Sequence, residues 1–359
     1  MGFVPCCSAT GIGSLPHTGV ETALDLVLAS VPEVPHWPQL PRRGHIEHFV
    51  YQYLWPLVRL GLLQEDRIIP AAAADFPDRL AEFFGLYLEA EADAAALAAA
   101  FATPLEAAPG LYAFMERMSG GGAGRARYLK GQIAGPLSVG LNVFDDRERP
   151  AFYDPQLREL LIKCLAAQAR WQAMTLAKPG LPVMVFVDDP AVAAWGSSTY
   201  IVLDRAQIIA ALAEVVEAIH AGGGLAGVHS CAAVDWAIFW EAGFDILSLD
   251  TYAFFPSLLG CSEGLRDFLQ RGGVLAWGIV PTSDAAWGET PATLARKWQE
   301  QVGALDARGI AAELVYRQSL ITPSCGTGTL EIELAENIYR LLRDLAELIQ
   351  AGAPCRGRS

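Results

Sequence analysis

A histidine and a cysteine stand two residues apart in the stretch "GVHSC", at the end of a short apolar run. Side chains two apart on a strand point the same way, so His229 and Cys231 are able to face one centre. The pair alone fits two buried core residues as well as half of a metal site, because cysteine is among the most frequently buried residue types. A metal site requires further ligands from other parts of the chain.

Two further candidate ligands follow later strand-like runs of the sequence. Asp250 comes after "DILSL", and Cys325 comes after "QSLITPS". Two thiolates with an imidazole favour zinc over magnesium or calcium. The sequence therefore predicts a zinc site with His229, Cys231, Asp250 and Cys325 as candidate ligands. A competing interpretation of Asp250 is that it caps the following helix, as aspartates often do.

Predicted strands and helices, which could bring these residues together, alternate along the whole chain. Repeated strand–helix alternation predicts a parallel sheet, and eight such units predict an α/β protein with a closed (β/α)8 TIM barrel. A doubly wound open sheet is the competitor, but "TGIGSLP" lacks the G-x-G-x-x-G pattern that it would favour. The predicted strands lie in 9–14, 33–40, 126–136, 183–190, 224–231, 245–252, 274–281 and 318–326.

The chain is longer than a minimal barrel requires. A barrel of this kind takes about 250 of the residues, which leaves about 100 to be placed elsewhere. Helical and glycine-rich segments crowd the stretch 41–125, so we predict an insertion there, between the second and third strands. The whole of 1–359 is then expected to be a single barrel domain.

Polar side chains collect where the predicted strands end. Catalytic groups of such barrels occupy the carboxyl ends of the strands and the loops that follow. The zinc candidates fall at this edge, together with several hydroxyls and carboxylates. The residues at these ends are Ser14, Asp188, Asp189, His229, Cys231, Asp250, Thr282, Ser283 and Cys325.

Composition excludes some classes of partner. Lys+Arg number 26 against 40 Asp+Glu, a net charge of -14 that argues against nucleic-acid binding through a basic surface. The N-terminus lacks the pattern of a signal peptide, and the alanine-rich stretch 88–110 carries acidic residues that are unsuited to a membrane span. Seven irregularly spaced cysteines do not indicate a disulfide framework. These features predict a cytoplasmic protein without a membrane or nucleic-acid partner.

Taken in series, six short motifs resemble a known family. The chain resembles the C-terminal, catalytic barrel of cobalamin-independent methionine synthase, in the superfamily that includes uroporphyrinogen decarboxylase, and it looks like a single-barrel core form of that enzyme. The resemblance covers nearly the whole chain. The motifs are "IGSLPHT" (12–18), "KGQIAGPLS" (130–138), "VFVDDPA" (185–191), "HSC" (229–231), "ILSLD" (246–250) and "PSCG" (323–326).

The resemblance implies a zinc ion that binds the thiol of homocysteine. His229, Cys231 and Cys325 match the histidine and cysteine ligands of the family. Asp250 stands where the family has glutamate, which is one methylene longer. The shorter carboxylate puts the fourth ligand in question and leaves room for an open position, which a catalytic zinc requires.

The resemblance also implies how the amino-acid end of homocysteine is held. Ser14 matches a serine that binds this end of the substrate. Asp188 matches an aspartate that pairs with the ammonium group. Glu47 is the nearest candidate for a second acidic partner of the same group.

Two departures from the family bear on the methyl donor. The full-length folate-using enzymes resemble a pair of barrels and carry a histidine after strand seven, thought to protonate the departing folate nitrogen. This chain is long enough for one barrel and has Thr282 and Ser283 in "WGIVPTSDAAW", with no histidine. A methylcorrinoid needs no such acid, because cobalt leaves with its electron pair. The resemblance and its departures together predict methylation of homocysteine to methionine, with a methylcorrinoid protein as donor.

Three other interpretations remain at this stage. A corrinoid methyltransferase of the coenzyme M type would share the zinc ligands, but it would have no use for the ammonium partner Asp188. A uroporphyrinogen decarboxylase needs no zinc and binds a polyanion with arginines near the first strand, which "GIGSLPHT" does not offer. A metal-storage or scaffold barrel is the non-enzyme alternative, and an aspartate at the end of the apolar run "VMVFVDDP" argues against it.

Overall fold

The computed structural model describes residues 3–195 and 203–352. The nine strands in this part of the chain are β1 (Ser8–Ala9), β2 (Ile68–Ile69), β3 (Leu129–Ala134), β4 (Phe144–Asp145), β5 (Val183–Asp188), β6 (Gly224–Ser230), β7 (Ile246–Leu249), β8 (Val274–Val280) and β9 (Ser319–Pro323).

Helices precede, separate and follow these strands. The α-helices are α1 (Val20–Ser30), α2 (Phe49–Tyr53), α3 (Trp55–Arg59), α4 (Phe76–Ala92), α5 (Ala94–Phe101), α6 (Pro109–Arg117), α7 (Pro136–Asn142), α8 (Pro155–Leu176), α9 (Arg205–Ala221), α10 (Ala237–Glu241), α11 (Thr251–Leu259), α12 (Ser262–Gln270), α13 (Pro291–Asp306), α14 (Ala312–Arg317) and α15 (Ile332–Gly352). A π-helical turn spans Met118–Gly122, and 3-10 turns span Pro41–Arg43, His45–Glu47, Ala151–Tyr153, Pro190–Ala194 and Asp284–Trp287. No helix in the described ranges is long and apolar enough to cross a membrane.

Seven strands form one parallel sheet in the order β1-β9-β8-β7-β6-β5-β3. Strands such as β8, in which every residue is buried, are typical of parallel sheets covered on both faces. The helices between the strands supply the long crossovers that parallel pairing requires. The α/β class predicted from the alternating pattern is confirmed.

The segment predicted as the second strand, 33–40, contains no strand in the structure. It nevertheless lies against both edges of the sheet, because His36 bridges to Lys130 of β3 and Gln39 bridges to Ser14 after β1. Pro35 and Pro38 lie within this segment. Since proline has no N–H to donate, the ladder is broken into isolated bridges.

The two faces of the sheet pack differently. Alternate side chains of β5, β7, β8 and β9 point to one face and form a small cluster of their own, which we call the inner cluster. The apolar strand side chains that point to the other face join the large core between sheet and helices. The inner cluster consists of Val34, Met184, Phe186, Ile246, Val274, Ala276 and Leu320.

The stretch 41–125 is mostly helical, and a small second sheet attaches it to the rest. β2 lies in this stretch and pairs in parallel with β4, which follows α7. The aromatic side chain of Phe101 in α5 is buried in the large core. Helix α2, at the start of the stretch, packs against β3 and so brings Tyr53 towards the sheet.

Gly227 of β6 provides a test of how tightly the inner face is packed. A Cβ at this position would clash with the ring of Phe186. We expect Gly227→Ala to lower the free energy of unfolding by about 1–3 kcal/mol, the usual cost of overpacking. Urea denaturation of the variant and the parent protein measures this difference in the free energy of unfolding. Gly303→Ala, in an exposed and open position of α13, should instead raise stability by about 0.5–1 kcal/mol, and equal effects at both positions would contradict this packing.

Candidate metal centre

His229 points one ring nitrogen towards a neighbouring strand and leaves the other without a partner. It lies near the end of β6, and its Nδ1 is 3.0 Å from Oγ of the fully buried Ser248 in β7. Its Nε2 is buried and has no hydrogen-bond partner in the described part of the chain. A histidine that ligates a metal usually binds a second group through its other nitrogen, which fixes the ring orientation. The free Nε2 is therefore the ligand atom that the fold presents.

Two cysteine sulfurs lie beside this imidazole. The ligand atoms of His229, Cys231 and Cys325 are all within 4.8 Å of one another. Both cysteines are half-buried and free of disulfides. Each comes directly after a strand, Cys231 after β6 and Cys325 just beyond β9, so two turns at the carboxyl edge of the sheet bring the three groups together.

The two thiols interact and shift each other's pKa in opposite directions. The Cys325 thiol, as a hydrogen-bond donor, and the neighbouring His229 lower the pKa of Cys231. The same interaction with Cys231, together with burial, raises the pKa of Cys325. Opposite shifts of this kind are expected of two interacting acids, with Cys231 as the more acidic thiol of the pair. A divalent cation would replace the proton of the hydrogen bond between them.

The donor set fits zinc. One imidazole nitrogen and two sulfurs are ligands that zinc accepts and that magnesium and calcium do not favour. The unpartnered buried nitrogen of His229 is a second indication, because buried polar atoms normally have a partner. Three protein ligands leave one tetrahedral position open, as in catalytic zinc sites.

Asp250, the fourth predicted ligand, lies outside this cluster of three ligand atoms. It is the N-cap of α11, and its Oδ1 accepts a hydrogen bond of 2.8 Å from the backbone N–H of Ala253. Burial raises its pKa, and the nearby sulfur of Cys231 does so as well. Its carboxylate thus contributes to the charge around the cluster and performs the capping role that was the competing interpretation.

Ser14 holds the turn that carries Cys325. The backbone N–H of Gly328 donates to Ser14 Oγ at 3.2 Å, and the hydroxyl of Thr327 donates to the Ser14 carbonyl at 2.9 Å. Gly326 approaches so closely that any Cβ there would clash with Ser14 Oγ. Ser14 is therefore adjacent to the cluster, with its hydroxyl proton still able to donate.

Asp188 ends β5 beside the cluster and has an unusual environment. Its Oδ1 is buried without a hydrogen-bond partner. Burial raises its pKa, and the neighbouring His229 and Lys130 oppose that shift. Lys130 is fully buried, donates to the Ile12 carbonyl at 2.6 Å and lies 4.4 Å from the centre of the Phe186 ring. A buried carboxylate with a free oxygen is suited to hold a cationic group.

Two other predicted carboxylates, Asp189 and Glu47, have partners of their own. Asp189 is buried and accepts hydrogen bonds from the backbone N–H groups of Leu137 and Ser138, so it caps α7. Glu47, the predicted second acidic partner, is buried and accepts from Arg43 Nε at 2.6 Å through Oε1. Its Oε2 is buried without a partner, and burial raises the pKa of this carboxyl.

Four polar side chains near the cluster were not singled out from the sequence. Ser248, Lys130 and Gln132 each interrupt an otherwise apolar strand, and that interruption is the signal that could have identified them. Tyr53 gave no such signal, because it lies in the helical stretch before β2 and reaches the site only through the fold. Its hydroxyl is buried without a partner, and burial and the charge of Asp188 raise its pKa.

The contact between Ser248 and His229 makes a prediction about metal affinity. We expect Ser248→Ala to weaken zinc binding about 10–100-fold, because the imidazole loses the hydrogen bond that orients it. Competition with a coloured zinc chelator measures this affinity. Ser257→Ala, which removes a hydroxyl bonded to Trp236 away from the cluster, should leave it unchanged. An unaltered affinity in Ser248→Ala would contradict the orienting role.

Comparisons with known proteins identify no family for this chain. No protein family model and no curated sequence matches it. Among solved structures, it is similar to a B12-independent methionine synthase from Shewanella sp. W3-18-1 in complex with selenomethionine, at 17% identity and a TM-score of 0.43, with 62% of each chain covered. It is also similar to a D-psicose 3-epimerase in the presence of D-fructose, at 15% identity and a TM-score of 0.36, over 66% of this chain and 81% of that one. Likenesses this distant carry no argument about what this chain does.

Proposed function

We propose that this protein is a zinc-dependent methyltransferase that methylates the thiol of homocysteine to give methionine. The observation that carries the proposal is the convergence of His229 Nε2 with the sulfurs of Cys231 and Cys325 within 4.8 Å. The unpartnered Oδ1 of Asp188 beside them supplies a place for the substrate's ammonium group. A thiol site beside an amine site fits a thiol-bearing amino acid.

The proposed setting is a closed (β/α)8 barrel with an insertion at 41–125, within one domain of 1–359. The bridges of His36 to Lys130 and of Gln39 to Ser14 support closure, because they join the 33–40 segment to both edges of the seven-stranded sheet. Strands of such a barrel present their carboxyl ends to one mouth. We propose a cytoplasmic location, where free cysteine ligands stay reduced.

Each of the remaining predicted site residues has a role in this proposal. Asp188 pairs with the ammonium group of homocysteine, and Glu47 is the second acidic partner. Ser14, whose hydroxyl can still donate, binds the amino-acid end beside the Cys325 turn. Asp250 borders the zinc site from the N-terminus of α11.

Zinc, when bound, would favour the thiolate form of the incoming thiol, whose ordinary pKa is about 8.5. The side chains around the zinc ligands then hold the substrate in place. Asp188 and Ser14 fix the amino-acid end, so the sulfur is held at the cluster while its proton leaves to solvent. The sulfur lone pair forms the S–CH3 bond, and the donor keeps the electron pair of the bond that breaks.

We propose a methylcorrinoid protein as the methyl donor. The turn after β8, where the family has a histidine that serves folate, holds Thr282, whose hydroxyl pairs with Ser324 at 2.8 Å. Neither hydroxyl is an acid strong enough to assist a poor leaving group at neutral pH. A cobalt leaving group does not require that assistance.

Turnover with two donors tests this proposal. Zinc-loaded protein is incubated with homocysteine and either methylcobalamin or methyltetrahydrofolate, and methionine is quantified by mass spectrometry. We expect methionine from methylcobalamin and none from the folate. Methylation of coenzyme M but not of homocysteine would instead support the other thiol acceptor. Failure to methylate either thiol with both donors would overturn the proposal.

A further inference from the structure

The inner face of the sheet also carries polar atoms that have no hydrogen-bond partner. Gln132 lies opposite Phe186 of the inner cluster, and Asp188 and Thr322 each lie two residues beyond an inner-cluster residue of their own strand, so all three face the same way. The buried atoms without a hydrogen-bond partner on this face include Gln132 Oε1, Asp188 Oδ1, Thr322 Oγ1 and His229 Nε2. Buried polar atoms are rarely left unpaired, so a group of them on one face indicates a site for a ligand. His229 and Asp188 already have proposed partners, whereas Gln132 and Thr322 have none.

Gln132 presents an acceptor to this space. Its Nε2 donates to the carbonyl oxygen of Trp37 at 3.3 Å. The reversed amide would set two carbonyl oxygens against each other, so the orientation is fixed by the network. The free atom is thus the carbonyl oxygen of the side chain, which accepts hydrogen bonds and cannot donate them.

The backbone leaves room for this amide beside Ser14. A Cβ at Gly13 would lie 2.8 Å from Gln132 Oε1, and the positive φ of Gly13 also disfavours other residues there. The Gln132 amide therefore lies beside the residue that precedes Ser14. On its other side, β3 pairs with β5 in a register that sets Gln132 opposite Phe186, so Asp188 is its diagonal neighbour two residues further along β5 on the same face. Gln132 is therefore a neighbour of both residues proposed to bind the amino-acid end.

We propose that Gln132 is a specificity-determining residue that accepts a hydrogen bond from the substrate's ammonium group; this inference rests on the function proposed above. Gln132 Oε1 and Asp188 Oδ1 are both pure acceptors, so a group with several N–H donors satisfies both. A primary ammonium has three. An uncharged acceptor adds a hydrogen bond without placing a second negative charge next to Asp188.

Binding by the zinc-loaded full chain tests the inference. Calorimetry compares homocysteine with 4-mercaptobutanoate, which has the same thiol and carboxylate but no amine. We expect the parent protein to bind homocysteine more tightly than 4-mercaptobutanoate. Gln132→Met removes the acceptor at similar volume. That variant should lose about 10–100-fold of the preference for homocysteine, which is the usual worth of a hydrogen bond to a charged group. Gln132→Glu, which keeps an acceptor, should retain the preference.

Controls separate this role from general damage. Gln168→Met alters a buried glutamine of α8 that is bonded to Thr103, and it should leave the preference for homocysteine unchanged. An undiminished preference in Gln132→Met would overturn the inference and leave the proposed function standing. Absence of thiol binding by the parent protein would overturn both. If Gln132→Met does not fold, loss of the preference in Gln132→Glu overturns the inference, and its retention supports it.

Discussion

Replacing Cys325 with serine should reduce bound zinc to well below the parent level. The change removes one of the two sulfurs that lie within 4.8 Å of each other and of the His229 ligand atom. A serine hydroxyl is a far weaker ligand for zinc than a thiolate, and the two donors left do not make a stable site. The turn around residue 325 is held to Ser14 by the Thr327 and Gly328 contacts, so its backbone should stay in place. Metal content after dialysis measures the loss.

A matched cysteine shows whether the loss is specific. Cys261→Ser changes another half-buried free cysteine, whose thiol donates to the Leu258 carbonyl at 3.3 Å and which lies outside the cluster. We expect its zinc content to equal that of the parent protein. Full zinc retention in Cys325→Ser would refute the site as described, whatever the control does.

Replacing Asp188 with asparagine should weaken the binding of homocysteine about 100-fold. The binding of 4-mercaptobutanoate, which has no amine, should weaken by much less. Asparagine keeps the volume and one acceptor oxygen but removes the charge. Truncating one partner of a buried charge pair typically costs about 2–5 kcal/mol, because the other charge is left uncompensated. Calorimetry on both ligands measures the difference.

Asp245→Asn is the control for this change. Asp245 accepts from His220 and from the Ala226 N–H at the opposite end of the strands. We expect that variant to bind both ligands as the parent does. Equal losses for the two thiols in Asp188→Asn would refute the amine-binding role, even if zinc binding persists.

The strands near the site were predictable because their burial is nearly complete. β5, β6, β7, β8 and β9 all fall within the stretches predicted as strands, since short apolar runs between polar helices leave little choice. The segment 33–40 misled the prediction because its apolar residues suit a strand while Pro35 and Pro38 cannot donate to a ladder. Its contacts to both edges depend on tertiary structure that local pattern does not encode.

The site was predictable only in part, because the contacts of its side chains also depend on tertiary structure. His229, Cys231 and Cys325 could be chosen because their residue types are rare and chemically specific. Asp188 and Asp189 are adjacent, and only the fold shows that Asp189 is used to cap α7 while Asp188 keeps a free oxygen.

Gln132 and Ser248 were harder to identify than the metal ligands. Amides and hydroxyls serve many structural purposes, so their types alone indicate no chemistry. Their roles are indicated only by the hydrogen-bond partners that they have or lack in the folded structure. Ser248 matters because it is 3.0 Å from His229, and Gln132 matters because its oxygen has no partner.

The most direct test of the zinc–thiol site is zinc content followed by zinc-edge X-ray absorption on the same sample. We expect about one zinc per chain, with two sulfur neighbours and one imidazole nitrogen from the protein. Addition of homocysteine should add a further sulfur neighbour, whereas addition of methionine, which has no thiol, should not. Absence of zinc after purification and reloading, or a zinc environment that homocysteine does not change, would contradict the account.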